Sequence, residues 1–126
     1  MPYVPPFNAI KDRVRLTSSA EGLQVSVEYK SFLLIIRDLL RGVAVDEEWY
    51  LKRYPDVVQS GMSARQHFAE HGYFEGRLPS ALAINEHWYL KANPDVAEQV
   101  NAGEIPDGLT HFREHGYAEG RLPDAF

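Results

Sequence analysis

Two pairs of histidines are the residues whose types and spacing come closest to an active centre in this sequence. The pattern H-x-x-E-H, a spacing used by some zinc hydrolases, occurs at residues 67–71 and again at residues 111–115. Histidines four positions apart lie on one face of a helix, so both rings can bind one zinc ion while the glutamate acts as a base. The candidate metal ligands are His67, His71, His111 and His115.

A structural role for these histidines is nevertheless the favoured interpretation. Zinc needs a third protein ligand, for which Glu75, Glu119 and His87 are the available side chains. The motif lies in both copies of a short repeat, and two active centres in units so small leave no room for a substrate cleft. A histidine that precedes a glycine can instead pack against the last turn of its helix. Bound zinc is the alternative, and a zinc-dependent hydrolase is the least favoured hypothesis.

Two arginines have acidic counterparts at matched positions of the same repeat. Asp56 and Arg77 in the first copy recur as Asp95 and Arg121 in the second. Because both partners occur in both copies, we expect a salt bridge within each copy, with two parallel N–H···O bonds. The alternative is that the arginines bind an anion or a sugar phosphate, which the glutamate two positions before each arginine disfavours by repulsion.

Three basic residues near the N-terminus are a further candidate binding patch. Lys11, Arg13 and Arg15 are expected on the outer face of a strand ribbon, where charged side chains commonly protect a sheet from edge pairing. The alternative is contact with a nucleotide or with nucleic acid, for which Arg13 and Arg15 are the candidate residues.

Each copy of the repeat also contains a Trp-Tyr-Leu sequence, which begins at Trp49 and at Trp88. Exposed tryptophans could form a platform for a carbohydrate ring, since their rings are large and partly polar. Burial is the favoured interpretation, because the same short helices carry Leu51 and Leu90. Carbohydrate binding through Trp49 and Trp88 is the alternative.

The recurring histidines, aspartates, arginines and tryptophans all belong to a tandem repeat in the last two thirds of the chain. Residues 45–57 match residues 84–96 at an offset of 39, and residues 67–79 match residues 111–123 at an offset of 44. In the later block eleven of thirteen positions are identical, which chance does not produce. The change of offset indicates an insertion of five residues in the second copy.

Repeat 1 spans residues 45–80 and repeat 2 spans residues 84–126. Both are predicted to form short helices that enclose a small core and stack on each other, because one copy buries little alone. The residues expected to cap or end helices are Asp46, Asn85, Ser63, Pro55, Pro94, Gly72 and Gly116, the two glycines as C′ residues. The predicted core residues are Trp49, Tyr50, Leu51, Val57, Phe68 and Tyr73 with their counterparts Trp88, Tyr89, Leu90, Val96, Phe112 and Tyr117.

The first 44 residues follow a different pattern, which predicts an arm, a β-hairpin and a helix. Three prolines in the first six residues favour an extended arm. Apolar and polar residues alternate over residues 13–17 and 23–28, which predicts two strands joined by a loop over residues 18–22. Helical periodicity follows over residues 29–41.

The hairpin and the helix each have an apolar face that needs a partner. The expected inner face of the hairpin consists of Val14, Leu16, Leu23, Val25 and Val27, and the helical stripe of Tyr29, Phe32, Leu33, Ile36, Leu39, Leu40 and Val43. A two-stranded ribbon alone is only marginally stable in water. It must therefore pack on the helix, on the repeats or on a second copy, and a homodimer and a monomer are equally favoured.

Composition and charge exclude several classes of function. The chain has 126 residues, of which 44% are hydrophobic, and it has no cysteine, which excludes disulfides, thiolate zinc sites and a cysteine nucleophile. A net charge of −5 disfavours nucleic-acid binding, and the acidity lies in residues 45–126, since residues 1–44 carry a net charge of +2. No apolar stretch approaches the roughly 20 residues of a membrane span, and no secretory signal is evident, so the cytoplasm is the expected location.

The two blocks of the repeat, W-Y-L-x-x-x-P-D-V and H-F-x-x-H-G-x-x-E-G-R-L-P, resemble a short bacterial repeat module. That module is appended to some glycosyltransferases, rhamnan-synthesis-like proteins and large secreted calcium-binding repeat proteins. The resemblance covers residues 45–123 and leaves residues 1–44 unassigned. It implies a bacterial protein connected with envelope polysaccharide but no activity, because the module recurs beside different catalytic domains.

The sequence as a whole predicts an α+β protein with an N-terminal β-hairpin and helix (residues 1–44) followed by two small all-helical repeats. We expect a non-catalytic binding or regulatory module that acts through protein–protein contacts or self-association and needs no cofactor. The alternative is a regulator that binds a small ligand such as a nucleotide or a carbohydrate. No membrane partner is expected.

Overall fold

A two-stranded antiparallel hairpin and eight α-helices make up the regular structure in the computed structural model, which describes residues 3–126. This arrangement confirms the predicted α+β class. The chain divides into two compact units, of which the first extends to Ser80 and the second spans Ala81–Phe126. The first unit joins the N-terminal part to repeat 1, and the second unit contains repeat 2.

The N-terminal part begins with a short helix that the sequence pattern did not predict. Pro6 has an extended backbone and precedes helix α1, Phe7–Lys11. The expected proline arm is thus extended at Pro6, while Pro2 lies outside the described residues. Strands β1, Arg15–Ser19, and β2, Gly22–Ser26, follow, and helix α2 spans Tyr29–Leu40.

The hairpin turn is tighter than the five-residue loop that the sequence predicted. Ser19 pairs with Gly22 across the ladder, so only Ala20 and Glu21 lie between the strands. Gly22 has a φ of 114°, a value that side-chain-bearing residues rarely adopt, and this glycine lets the chain reverse within two residues.

The apolar side chains of the hairpin share one face, but the described residues do not bury that face. Leu16 lies opposite Val25 in the ladder. Leu16, Leu23 and Val25 are 48%, 75% and 61% exposed, and every residue of β1 and β2 is exposed. The prediction of a buried inner face is therefore wrong for residues 3–126, because alternation identifies a shared face without identifying what covers it.

Helix α2 is buried through a side chain outside the predicted stripe. Ile35, which lies off that stripe, is the buried residue of the helix, whereas Tyr29 is 72% exposed and Phe32 is also exposed. Leu40 and Val43, at the C-terminal end of the stripe, pack against the core of repeat 1. Apolar residues surround much of this helix, so periodicity alone does not select the face that packs.

Repeat 1 consists of short helical segments that begin at the predicted caps. Helix α3 spans Glu47–Arg53, α4 spans Asp56–Ser60 and α5 spans Ala64–His67. Asp46 accepts a hydrogen bond from the backbone N–H of Trp49, and Ser63 accepts one from the N–H of Gln66. Helix α5 continues into a π-helical turn, Phe68–Gly72, and a 3₁₀ turn, Tyr73–Glu75.

Repeat 2 has the same order of segments with a longer middle helix. Helix α6 spans Glu86–Ala92, α7 spans Pro94–Asn101 and α8 spans Gly108–His111, which a π-helical turn, Phe112–Gly116, extends. Helix α7 has eight residues where α4 has five. The inserted residues therefore lengthen this helix and the loop that follows it.

Each repeat encloses its own small core. The buried apolar residues are Tyr50, Val57, Ala64 and Phe68 in repeat 1, and Tyr89, Val96 and Phe112 in repeat 2. Tyr73 and Tyr117, which were predicted to lie in these cores, are exposed. The ring of Tyr73 meets the buried Phe68 edge-on at a centroid distance of 6.1 Å, so it contacts the core from the protein surface.

Candidate functional site

The predicted histidines lie beside buried tyrosines, and this pairing occurs once in each repeat. The hydroxyl of Tyr50 on α3 is 2.9 Å from Nδ1 of His67 at the end of α5, and the hydroxyl of Tyr89 is 2.9 Å from Nδ1 of His111. Both tyrosines are fully buried and both histidines are 7% exposed. When the imidazole is neutral and protonated on Nε2, the tyrosine hydroxyl donates to Nδ1. Each pair therefore ties the first helix of its repeat to the third.

Gly72 and Gly116, the predicted C′ residues, are the last residues of their π-helical turns and adjoin these tyrosine hydroxyls. Neither has the left-handed conformation that is common at C′, since Gly72 has φ −58° and ψ −45° and the positive φ angles occur at Gly76 and Gly120. A Cβ atom at Gly72 would overlap the hydroxyl of Tyr50, and one at Gly116 would overlap that of Tyr89. Glycine is therefore needed at both positions for space.

The environments of Tyr50, His67 and Tyr89 favour the uncharged forms of these side chains. Burial raises the pKa of the Tyr50 and Tyr89 hydroxyls. Burial also lowers the pKa of the His67 imidazole, and the nearby positive charge of Arg77 acts in the same direction. At neutral pH the contact between Tyr50 and His67 is therefore a hydrogen bond between neutral groups, which suits a structural role better than acid–base chemistry.

The second histidine of each predicted metal pair is exposed and lies beside the first. The ring centroids of His67 and His71 are 5.6 Å apart, and those of His111 and His115 are also 5.6 Å apart. In residues 3–126 no three histidine, cysteine, aspartate or glutamate side chains are grouped closely enough to hold a metal ion. The zinc-hydrolase hypothesis needs such a third ligand, and the side chains predicted to supply it, Glu75, Glu119 and His87, do not complete a group.

The matched aspartates and arginines form a bidentate salt bridge in each repeat. Arg77 donates to both carboxylate oxygens of Asp56 at 3.0 and 2.8 Å, and Arg121 donates to those of Asp95 at 3.0 and 2.9 Å. These bonds lower the pKa of both aspartates. The guanidinium carbon of Arg77 also lies 4.8 Å from the centroid of Tyr54. An anion at either arginine would have to displace a carboxylate, so the geometry favours the structural interpretation.

Two of the three basic residues near the N-terminus lie together. Arg13 and Arg15 line the same hollow beside the hairpin. Arg13 precedes β1 and forms an ion pair of 2.7 Å with Asp38 of α2, whereas Arg15 opens β1 and is exposed. Lys11 belongs to α1, so its predicted place on the outer face of the ribbon is wrong.

Both tryptophans belong to the cores of their own repeats. Trp49 is half-buried against core 1 and meets Tyr54 edge-on at a centroid distance of 6.1 Å, while Trp88 is half-buried against core 2. The adjacent tyrosines are inaccessible to a ligand, because Tyr50 and Tyr89 are fully buried. This placement agrees with the favoured interpretation of the aromatic residues as core.

Sequence reasoning did not identify a cleft of arginines between α2 and α5. Arg37, Arg41 and Arg65 line it together. A sequence signal was present at one of the three positions, since Arg65 of repeat 1 corresponds to Leu109 of repeat 2 at the offset of 44. Because repeat 2 has a leucine at this position, the fold of the repeat does not require an arginine there.

Comparison of the chain with models of protein families, with characterised proteins and with solved structures gives no match. Within residues 3–126, none of the helices combines the length and the apolar character needed to cross a membrane. A functional proposal for this protein therefore rests on its own geometry.

Proposed function

We propose that this protein is a non-catalytic interaction module that associates with a second copy of itself through the hairpin. The observation that carries the proposal is the apolar face of β1 and β2, on which Leu16, Leu23 and Val25 lie together and exposed. The repeated tyrosine–histidine and aspartate–arginine pairs need no catalytic explanation, because each is a hydrogen-bonded contact that joins two segments of one repeat.

The hairpin has a physical need for a partner. A two-stranded sheet is at best marginally stable in water, and stability comes from further strands or from packing of an apolar face. The sheet in the described part of the chain has two strands, and all ten of their residues are exposed. Covering the apolar face would stabilise the hairpin by roughly 25 cal/mol for each Å² removed from water.

A second copy of the chain fits this face because the face is apolar and uncharged, so two identical faces can pack together without repulsion. Alternation places Val14, Leu16 and Ser18 on the same side as Leu23 and Val25, with no acidic or basic residue among them. A twofold interface brings the same patch of both molecules together. Two apolar patches can pack on each other, whereas two patches of the same charge repel.

Further apolar side chains of the N-terminal part are exposed. Tyr3, Val4, Phe7 and Tyr29 are each at least half exposed. Tyr29 begins the helix that follows the hairpin, whereas Tyr3 and Val4 lie beside Leu39 at the other end of that helix. The hairpin face is therefore the grouped apolar surface that carries the proposal, and exposed apolar surface commonly marks an interaction site.

The resemblance of the repeats to a bacterial module supplies the biological setting of the proposal. On that basis we place the protein in a bacterial pathway connected with envelope polysaccharide, and in the cytoplasm as the sequence predicts. The first statement rests on the sequence pattern of residues 45–123, and the second rests on the expectation drawn from the whole sequence.

Sedimentation velocity over a range of protein concentrations tests self-association. We expect a monomer–dimer equilibrium for the wild type, which Val25→Lys shifts to monomer because it places a charge in the interface. Gln24→Lys is the matched control, since it adds the same charge one residue away on the opposite face of β2. A wild type that stays monomeric at the highest concentration used for NMR would overturn the proposal, and so would equal effects of the two variants.

A further inference from the structure

We propose that the cleft between α2 and α5 binds the phosphate group of a small phosphate monoester. The cleft has a volume of about 490 Å³ and lies wholly within the first unit. This inference is independent of self-association, because the residues that carry it belong to the helices and not to the hairpin.

Three arginines converge on the cleft. Arg37 lies in the last turn of α2, Arg41 caps the C-terminal end of that helix, and Arg65 belongs to α5. Ser63 and Gln66 add a hydroxyl and an amide to the same lining. Guanidinium groups bind phosphate through paired N–H···O bonds, so a cluster of arginines with neutral donors is the chemistry that recognises a phosphate.

Arg37 carries a buried donor that no group in the described part of the chain satisfies. Its Nε atom is inaccessible to solvent and has no hydrogen-bond partner among residues 3–126. In that same range its guanidinium forms no ion pair within 4.0 Å. A buried N–H without an acceptor costs about 1–3 kcal/mol. An anion in the cleft offsets that cost when the Arg37 side chain turns this N–H toward it.

Arg65 is held in position by the backbone of α2. Its Nη2 donates to the carbonyl oxygen of Arg41 at 2.7 Å, which leaves its other N–H groups available to a ligand. The corresponding residue of repeat 2 is Leu109, and the counterpart of Ser63 is the acidic Asp107. Repeat 1 therefore has hydrogen-bond donors at two lining positions where repeat 2 has an apolar and an acidic residue.

The acidic residues around the cleft leave it with an excess of positive charge. Asp38 is engaged by Arg13 at 2.7 Å and lies 3.9 Å from Arg41, so an arginine already neutralises it. Glu70 lines the cleft without an ion pair among the described residues. Glu75 lies in an adjoining hollow that Arg37 and Glu70 also line, and it is 3.8 Å from Arg77. Glu70 is the acid that opposes an anion.

The shape of the cleft favours a monoester over free phosphate. Leu34 and Ala69 form apolar parts of its wall beside the arginines. A phosphate group fills only part of about 490 Å³, so the remainder can contact the organic part of a ligand. We therefore expect an aromatic or aliphatic monoester to bind more tightly than inorganic phosphate.

NMR titration of the Arg37 side chain tests the proposal. The probe is phenyl phosphate at low ionic strength, compared with inorganic phosphate and with benzoate, and the signal is the Nε–Hε resonance of Arg37. We expect a saturable shift with phenyl phosphate, a weaker affinity for inorganic phosphate and the weakest for benzoate. No saturable shift would overturn the proposal, and equal binding of benzoate would overturn the assignment to a phosphate group.

Three variants separate recognition from loss of structure. Arg65→Leu introduces the residue of repeat 2 and should weaken binding about tenfold or more, as expected for losing a charged hydrogen bond. Glu70→Gln should strengthen binding, an effect that unfolding cannot mimic. Arg113→Gln, which removes one exposed charge from repeat 2, should leave the affinity unchanged. Weakening by Arg113→Gln to the same degree as by Arg65→Leu would identify nonspecific attraction and overturn the site.

Discussion

The hydroxyl of Tyr50 lies 2.9 Å from Nδ1 of His67, and both side chains are almost completely buried. The same distance joins Tyr89 and His111 in repeat 2. Both partners therefore recur with the repeat, and the hydrogen bond gives the first histidine of each H-x-x-E-H motif a structural role.

Tyr50→Phe should destabilise the protein by about 1–3 kcal/mol, because it leaves Nδ1 of His67 buried without a partner. The measurement is the free energy of unfolding in urea. Tyr73→Phe makes the same chemical change at an exposed ring and should have little effect. Equal losses in the two variants would show that the contact between Tyr50 and His67 contributes nothing to stability.

Gly72→Ala should cost about 1–3 kcal/mol, because its Cβ would overlap the Tyr50 hydroxyl. The structure also predicts how to relieve this cost. In a Tyr50→Phe background the nearest ring atom, Cζ, lies 3.4 Å from the added Cβ, which is an ordinary contact. The loss caused by Gly72→Ala should therefore shrink in the double variant, whereas additive losses would contradict the proposed overlap.

The fold class and the local signals of the repeats could be predicted from the sequence. Asp46 and Asn85 cap their helices as expected, since a capping bond depends on residues three positions apart. The pairing of Asp56 with Arg77 could also be predicted, because both partners recur in the second copy. In these cases the information lies within one helix turn or is duplicated by the repeat.

Features that depend on packing between segments could not be predicted. Alternation grouped Leu16 with Val25 but could not show that their face is exposed. The position of Gly72 near the end of a helix suggested a C′ residue. The structure shows a different requirement, because the Tyr50 hydroxyl from α3 lies so close that a larger residue does not fit. The cleft around Arg37 combines two helices that no local pattern relates to each other.

Stability should fall as the pH is lowered from 7 towards 5, through protonation of His67. Its folded-state pKa lies below the unfolded value of about 6.5, so its contribution is complete above that pH and is lost as the pH falls through the folded pKa. NMR titration of the imidazole should give a midpoint below 6.5. A midpoint at or above that value would contradict the burial of a neutral ring.

Asp56 should add a second loss of stability at lower pH. Its folded-state pKa lies below the ordinary value of 3.8 because Arg77 donates hydrogen bonds to the carboxylate. The contribution is present above pH 3.8 and disappears as the pH falls through the lowered pKa. Asp56→Asn should flatten the pH dependence of thermal unfolding below 3.8, and Asp124→Asn, which removes a carboxylate near the C-terminus, should leave it as in the wild type. A profile unaltered by Asp56→Asn would show that the ion pair does not contribute.

Amide hydrogen exchange in the hairpin should depend on protein concentration. If a second copy covers the face of Leu16 and Val25, association stabilises the folded hairpin by mass action, so the amides of β1 and β2 become more protected as concentration rises. Amides of α3 supply the internal reference, because this helix carries the buried Tyr50 of core 1 and needs no second copy. Val25→Lys should remove the concentration dependence in the hairpin, whereas Gln24→Lys should preserve it. Protection that is independent of concentration in a protein that sediments as a dimer would place the interface outside the hairpin.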